Sequence, residues 1–460
     1  MRFVLAFALL SPRVFGAAPL FTRDVLPIFE KHCQTCHRPG DIAPFPLLTY
    51  EQARPWAKAI RFAVTARKMP PWFAEGGQFA NDRSLTAEEI RVISDWATSG
   101  APAGDPKDAP APLTFTEGWR IHKPDVIFDT GVDFSVPESG DVPYQYFVVP
   151  TGFKQDRWVR EVEVKPGNRS AVHHMTIYVR PPGSPYLSRA VPGRPFVPAF
   201  GTGHRLEASG NSTVGIVKGL DDKSVEFLMS YVPGTNVPEL APREAFLVRA
   251  GSDLVFQIHY TSSRTKQTDR SLVGFVFADK PARRVINASW AQPNIRIPAG
   301  QAEHREEASV TLTQDVEIRA VLPHMHLRGS GFEVHATYPS GKQESLLKLR
   351  RYDFNWQILY EWKSPITLPK GTVLTIVGIF DNSQNNRANP DPTVDVYWGD
   401  QTTSEMLQGD FRLAIPVDQN PMDLIAKESV QVEGDAFELG SWQAKLRELI
   451  TSFRVWSGIR

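Results

Sequence analysis

The chain has 460 residues, 42% apolar and 22% charged, an ordinary globular composition with room for two or three domains. Lys+Arg and Asp+Glu both number 51, so net charge argues for neither a nucleic-acid partner nor a polyanionic substrate. The two cysteines lie three positions apart and leave none to brace the rest of the chain, whose stability must come from burial.

In chain order, Arg2, the apolar run Phe3 to Leu10 and the small residues Gly16-Ala17-Ala18 form a secretion signal over residues 1–17, so a periplasmic or secreted protein is expected. That run is too short to remain as a spanning helix, and no later stretch reaches 18 uninterrupted apolar residues, so the mature chain is expected to be soluble with no membrane span. Residues 18–104 have a helical pattern. A first run ends at His32, and a second covers Tyr50 to Lys68 with Ala57, Ile60 and Val64 on one face. A third opens on the capping box Thr86-Ala87-Glu88-Glu89 and stops at Gly100. Pro102 to Pro112 is rich in Pro, Ala, Asp and Gly and reads as part of a linker assigned to 105–120.

Beyond the linker the apolar period shortens to that of strands. Trp158 to Val164, Met175 to Val179, Leu254 to Tyr260, Val310 to Val321, Phe332 to Thr337 and Val373 to Ile379 are β-rich runs bounded by turn residues. The fold class expected is multidomain: a small all-α domain followed by two all-β sandwiches, at 121–285 and 286–425. An extension over 426–460 carries a short helix at Gln443 to Phe453.

Cys33-Gln34-Thr35-Cys36-His37 is the attachment pattern of c-type haem: two thiols for the vinyl groups and, in the same turn, a histidine for the iron. A redox dithiol would prefer a strand-to-helix context in a βαβ fold, absent here. Met69, in Lys68-Met69-Pro70-Pro71-Trp72, is the expected sixth ligand, since the prolines hold an extended loop and a thioether favours electron transfer. His32 adjoins Cys33 and is poorly placed for the opposite haem face. Over about eighty residues, including CQTCH and MPPW, this region resembles the small bacterial class I cytochromes c.

Eleven histidines are present, and those of the β region cluster. His324 and His326 flank Met325 at a strand end, where residues i and i+2 share a face and can grip one metal. His173-His174 is a second cluster; both can serve one ion only where the backbone departs from strand alternation. His259, in Phe256-Gln257-Ile258-His259-Tyr260, is a third. His122, His204, His304 and His335 have no partner at ligand spacing and are taken as structural.

His173-His174-Met175, Gln257-Ile258-His259-Tyr260, His324-Met325-His326 and Thr402-Thr403-Ser404-Glu405-Met406 follow one another as in the copper type II, ascorbate-dependent monooxygenases. Over about Tyr144 to Pro416 the chain resembles that family, which includes peptidylglycine α-hydroxylating monooxygenase and dopamine β-monooxygenase. The resemblance implies two jelly-roll sandwiches, each with one copper. His173, His174 and His259 would form the electron-storing site; His324, His326 and Met406 would form the oxygen-activating catalytic site. Three imidazoles suit cycling between Cu(II) and Cu(I), and a soft thioether favours Cu(I).

The pattern departs in places. The family's animal enzymes are rich in disulfides. Peptidylglycine hydroxylation uses an Arg just before the His-x-His pair, where this chain has Leu322-Pro323; Arg319 is the nearest preceding one, so a C-terminal glycine is not the expected substrate. The family places a Tyr after its Met ligand, whereas here Met406 is followed by Leu407-Gln408-Gly409-Asp410, and Asp410 is either an attractor for a cationic amine or a solvated turn carboxylate. The function expected is hydroxylation of a C–H bond of a small organic substrate with O2. Electrons would come through haem from a periplasmic donor, with ascorbate or another one-electron donor possible. The alternatives are a haem and copper electron-transfer or copper-binding protein without oxygenase activity, and a hydrolytic zinc site, which methionine disfavours.

Overall fold

The computed structural model describes residues 18–426 apart from 42, 117, 141, 199–215, 219–222, 233–236, 238, 263 and 400. The expected signal, His204 and the helix at Gln443 to Phe453 lie outside the described residues. Most of the described chain is β, in several antiparallel sheets, preceded by a short helical region. Two compact units divide it, residues 18–72 with 83–115 and residues 73–82 with 116–426.

In the helical unit a π-helical turn, Phe21–Val25, leads into α1 (Leu26–His32), followed by α2 (Tyr50–Ala53), α3 (Ala57–Thr65) and α4 (Ala87–Thr98). The expected helix from Tyr50 to Lys68 is interrupted by a 3-10 turn at Arg54–Trp56, where Pro55 lacks an amide donor, and its α-helical part ends at Thr65. The capping box forms as read: Thr86 Oγ1 accepts from Glu89 N at 3.1 Å, and Thr86 N donates to Glu89 Oε2 at 2.7 Å. Ile93 and Trp96, one turn apart on α4, bury completely among Phe21, Phe29, Ile60 and Val64.

The β unit begins with β1 (Val126–Asp129), β2 (Phe134–Val136), β3 (Gln145–Pro150), β4 (Arg157–Lys165), β5 (Val172–Arg180), β6 (Ile216–Lys218), β7 (Glu226–Tyr231), β8 (Glu244–Val248), β9 (Asp253–Tyr260), β10 (Gln267–Asp269), β11 (Leu272–Ala278) and β12 (Arg283–Ala291). It continues through β13 (Arg296–Ile297), β14 (His304–Thr311), β15 (Val316–His324), β16 (Gly329–Thr337), β17 (Gln343–Leu349), β18 (Tyr360–Leu368), β19 (Val373–Phe380), β20 (Val396–Tyr397) and β21 (Gln408–Pro416). One four-stranded sheet runs β3-β9-β5-β7 and another β14-β19-β16-β17. A nine-stranded sheet runs β1-β11-β4-β8-β12-β21-β15-β18, with β6 paired to β12. Met175, Ile177, Phe256 and Ile258 of the first small sheet share a buried core with Val159, Phe246 and Phe275 of the long one. A Cβ at Gly409 of β21 would stand 3.3 Å from Ile376 of β19, which places the second small sheet against the other half of the long sheet.

The expected boundary at 285/286 falls inside β12, which pairs parallel with β8 and antiparallel with β21, so one sheet runs through both halves. The run Val310 to Val321, read as one strand, is two. The polar turn at Thr313, Gln314 and Asp315 passes the chain from the second small sheet (β14) to the long sheet (β15), with Lys370 N held on Asp315 Oδ1 at 2.8 Å. Residues 73–82 join the β unit as a strap: Ala74 bridges Leu349 of β17 and Phe79, fully buried, bridges Trp362 of β18. Both β17 and β18 end their sheets, and the strap covers these open edges. Among the described residues no helix is long and apolar enough to cross a membrane.

Candidate metal centres

In β9, Phe256, Ile258 and Tyr260 point into the core, which turns Gln257 and His259 to the other face. Strict alternation along β5 would send His173 and His174 to opposite sides. The register shift between Val172 and His174 removes that conflict: Val172 and Met175 both enter the core, and the extra residue gathers both imidazoles beside His259. Their ligand atoms all lie within 4.8 Å of one another. Ring centroids stand 5.3 Å (His173 to His174), 5.3 Å (His173 to His259) and 5.0 Å (His174 to His259) apart. Nδ1 of His173 and Nδ1 of His174 face each other at 3.1 Å. Burial lowers the pKa of His173, and burial together with His259, His173 and His324 holds His174 well below the ordinary imidazole value. Neutral imidazole is the form that ligates a metal.

Tyr144 completes this cluster, a residue to which no sequence signal drew attention. Its hydroxyl lies 3.1 Å from His174 Nε2, and its ring stacks on His259 with centroids 4.9 Å apart. A polar group on the outer nitrogen of a histidine fixes its tautomer and orientation.

The second group forms where β15 ends and β21 is about to begin. His324 and His326 approach with centroids 5.2 Å apart and rings nearly perpendicular, at 88°. Nδ1 of His324 is bonded to Gln357 Oε1 at 2.9 Å, and Nδ1 of His326 to the carbonyl of Ser404 at 3.1 Å. A carbonyl oxygen only accepts, so Nδ1 carries the proton and Nε2 keeps the ligating lone pair. Burial, with His324 adding, pushes His326 down to about 3.

The loop between them is held from two sides. Tyr352 Oη accepts from Met325 N at 3.1 Å and donates to Met325 O at 2.8 Å. A Cβ at Gly329 would stand 2.8 Å from Met325 Cβ and 2.9 Å from Tyr352 Cδ1, so glycine is required for this approach. Glu405, fully buried, accepts the amides of His326 and Arg328. Burial lifts its carboxyl to about 7, against the amides of Arg328 and His326 and the Arg328 guanidinium.

One cavity of about 210 Å³ is lined by His174 and Tyr144 from the first half and by His324, His326 and Met406 from the second. Its floor is the face of the long sheet carrying Ser289, Leu322, Gln408 and Asp410; its wall is the face of the first small sheet carrying Tyr146, Thr176, Ser230 and Gln257. Asp410 is its one charged lining residue among those described. It accepts from Ser289 and from Gln408 Nε2, so it is a buried cavity carboxylate and not a solvated turn residue. Arg319 is engaged by Glu244 and Glu317 and is not among the residues that line the cavity.

In the helical unit, Cys33 caps α1, and the chain folds back on it through Cys36 N at 3.1 Å and His37 N at 2.9 Å, both donating to Cys33 O. Nδ1 of His37 donates to Phe45 O at 3.0 Å, which leaves the lone pair on Nε2. Burial pushes the Cys33 thiol up to about 12, with Cys36 and Glu89 adding. Met69, half-buried just past α3, donates its amide to Ala63 O at 3.3 Å. His32 is engaged elsewhere, by Glu89 and the carbonyl of Arg83. His122, His304 and His335 each contact a carboxylate at 2.9 Å, those of Glu161, Glu306 and Glu333.

No family model matches the chain, and no curated protein matches it. Among solved structures, a protein from Eubacterium rectale is similar at 10% identity, covering 59% of this chain and 69% of that one with a TM-score of 0.18. T=1 particles derived from infectious bursal virus match at 8% identity over 74% of this chain and 87% of theirs, with a TM-score of 0.19. The infectious bursal disease virus VP2 subviral particle matches at 9% identity over 66% and 75%, also at 0.19. Scores this low carry no conclusion about fold or function.

Proposed function

We propose that this chain is an exported copper-dependent monooxygenase that hydroxylates a C–H bond of a small organic substrate with O2, built on two jelly-roll-like sandwiches and fused to a class I cytochrome c domain. The observation that carries the reading is one cavity lined by a member of the three-histidine cluster and by His324, His326 and Met406. Hydroxylation places one oxygen atom in the product and reduces the other to water, which takes two electrons and two protons beyond the substrate's own. Copper held by His173, His174 and His259 would store one electron, and copper held by His324, His326 and Met406 would supply the second and activate O2. The donor sets fit: three imidazoles in one group, two imidazoles and a thioether lining the cavity in the other.

The chain's own residues prepare the site. Tyr144, Gln357 and the Ser404 carbonyl orient three of the five imidazoles through their outer nitrogens. The wall carries a ladder of neutral polar groups, with Gln257 Nε2 donating to Tyr146 Oη at 2.6 Å and Thr176 Oγ1 meeting Ser230 Oγ at 3.0 Å. Such a wall orients an uncharged or cationic substrate without a competing cation. Haem c bound through Cys33, Cys36 and His37, with Met69 as sixth ligand, would supply single electrons from a periplasmic donor, in place of ascorbate or beside it.

Metal analysis of the purified protein is expected to give two copper per iron. Incubation with candidate substrates under ¹⁸O2 is expected to place one labelled atom in the product. Two copper without labelled product would leave a haem and copper electron-transfer protein, and zinc in place of copper would overturn the reading. Stopped-flow mixing tests the relay: reduced haem that is not reoxidised by the Cu(II)-loaded chain would exclude it.

A further inference from the structure

His326 and Met406 come from different parts of the chain, one from the loop after β15 and the other from the approach to β21. A single atom joins their backbones. Glu405 Oε2 accepts His326 N at 2.8 Å and Met406 N at 3.3 Å, while Oε1 accepts Arg328 N at 2.6 Å. Glu405 is itself held by its main chain, its amide donating to Tyr397 O at 3.1 Å and its carbonyl accepting Gly399 N at 3.2 Å. Its side chain is fully buried, where an unmatched carboxylate is costly. Arg328, also buried, is fastened by Asn382 Oδ1 at 2.9 Å and Thr403 O at 2.9 Å.

We propose that Glu405 is the positioning residue of the His324/His326/Met406 centre, its carboxylate setting the Met406 thioether in register with the His326 imidazole by gathering both backbone amides on one oxygen. This rests on the copper reading of those three residues. Three N–H groups point at the two oxygens of Glu405, so the side chain serves here as an acceptor on both, whereas an amide presents one acceptor and one donor. In Glu405→Gln the amide nitrogen faces a donor either way it is turned, Arg328 N in the His326 loop or the amides of both His326 and Met406, and the loop is pushed away from the Met406 segment. The hydroxyl of Tyr352 is bonded to both main-chain polar groups of Met325 and so holds the loop from its other side.

The test uses the full-length chain loaded with Cu(I), read by copper K-edge absorption and by competition with a Cu(I) chelator. The wild type is expected to show a sulfur scatterer at one of two coppers. Glu405→Gln is expected to lose that scatterer and to weaken the corresponding copper about 10- to 100-fold, with the all-nitrogen copper unchanged. Tyr352→Phe is expected to retain the sulfur. Where Glu405→Gln does not fold, Glu405→Asp keeps the charge, shortens the reach and is expected to lose the same signal. Retention of the sulfur scatterer in the folded Glu405 variant, or an equal loss of both coppers, overturns the proposal. A wild type with no sulfur-ligated copper overturns the underlying metal assignment instead.

Discussion

The two candidate centres of the β unit are built by opposite means. The three-histidine group stands on two neighbouring strands of one sheet, and its one irregularity is a bulge that brings His173 and His174 to the same side. The His324/His326/Met406 group stands where strands stop, and its shape is kept by hydrogen bonds from Glu405, Tyr352, Gln357 and Ser404. Regular pairing makes a rigid donor set from few residues, whereas a loop needs a shell of polar partners and can move within it. Under the proposed copper reading, that contrast would suit a fixed electron store on one side and, on the other, a centre whose ligands accommodate O2 and substrate.

Removing one imidazole from the rigid group should have the largest consequence. His174→Ala is expected to take the copper content from two per iron to one and product formation to background, measured by metal analysis and labelled-oxygen assay. Met406→Leu keeps the volume but not the sulfur. Its Cu(I) affinity at the second centre should fall by more than the roughly 10- to 100-fold expected for loss of an outer partner, with the first centre unchanged in its Cu(II) EPR spectrum. Tyr144→Phe preserves the stacking on His259 and deletes the contact with His174 Nε2; about a tenfold weakening confined to the three-histidine copper is expected in chelator competition. Equal weakening of both coppers would show that the two groups are not independent.

The smallest effect should spare both centres. Burial alone would raise Glu333, but Lys348 at 2.9 Å and His335 at 2.9 Å override it and hold the carboxyl at about 2. Because its pKa is depressed in the folded state, Glu333 adds stability above the unfolded value of 4.5, and that stability disappears as pH falls toward about 2. Glu333→Gln should lower stability by roughly 2 kcal/mol at pH 7 and flatten its decline across that acid window, read by denaturant titration, with copper content unaltered.

Local chemistry is written in short spans, and there the sequence was enough. Thr86 and Glu89 bond within one helical turn, and the alternation in β9 decides which face receives His259. Even the bulge beside His174 was legible as a requirement, since two adjacent imidazoles cannot share a face of a regular strand. Other features stayed hidden because they depend on partners far away in the chain. The break at Thr313 to Asp315 interrupts a run whose apolar pattern continues, and β12 joins the halves through a parallel pairing with β8 that no turn announces. Residues 73–82 lie between helical stretches, yet they cap the edges of β17 and β18. Glu405 stands next to Met406 with no sign of its role in the sequence, because an acidic residue is most often solvated. Its burial against the amides of His326 and Arg328, some eighty positions away, exists only once β15 and β21 lie side by side.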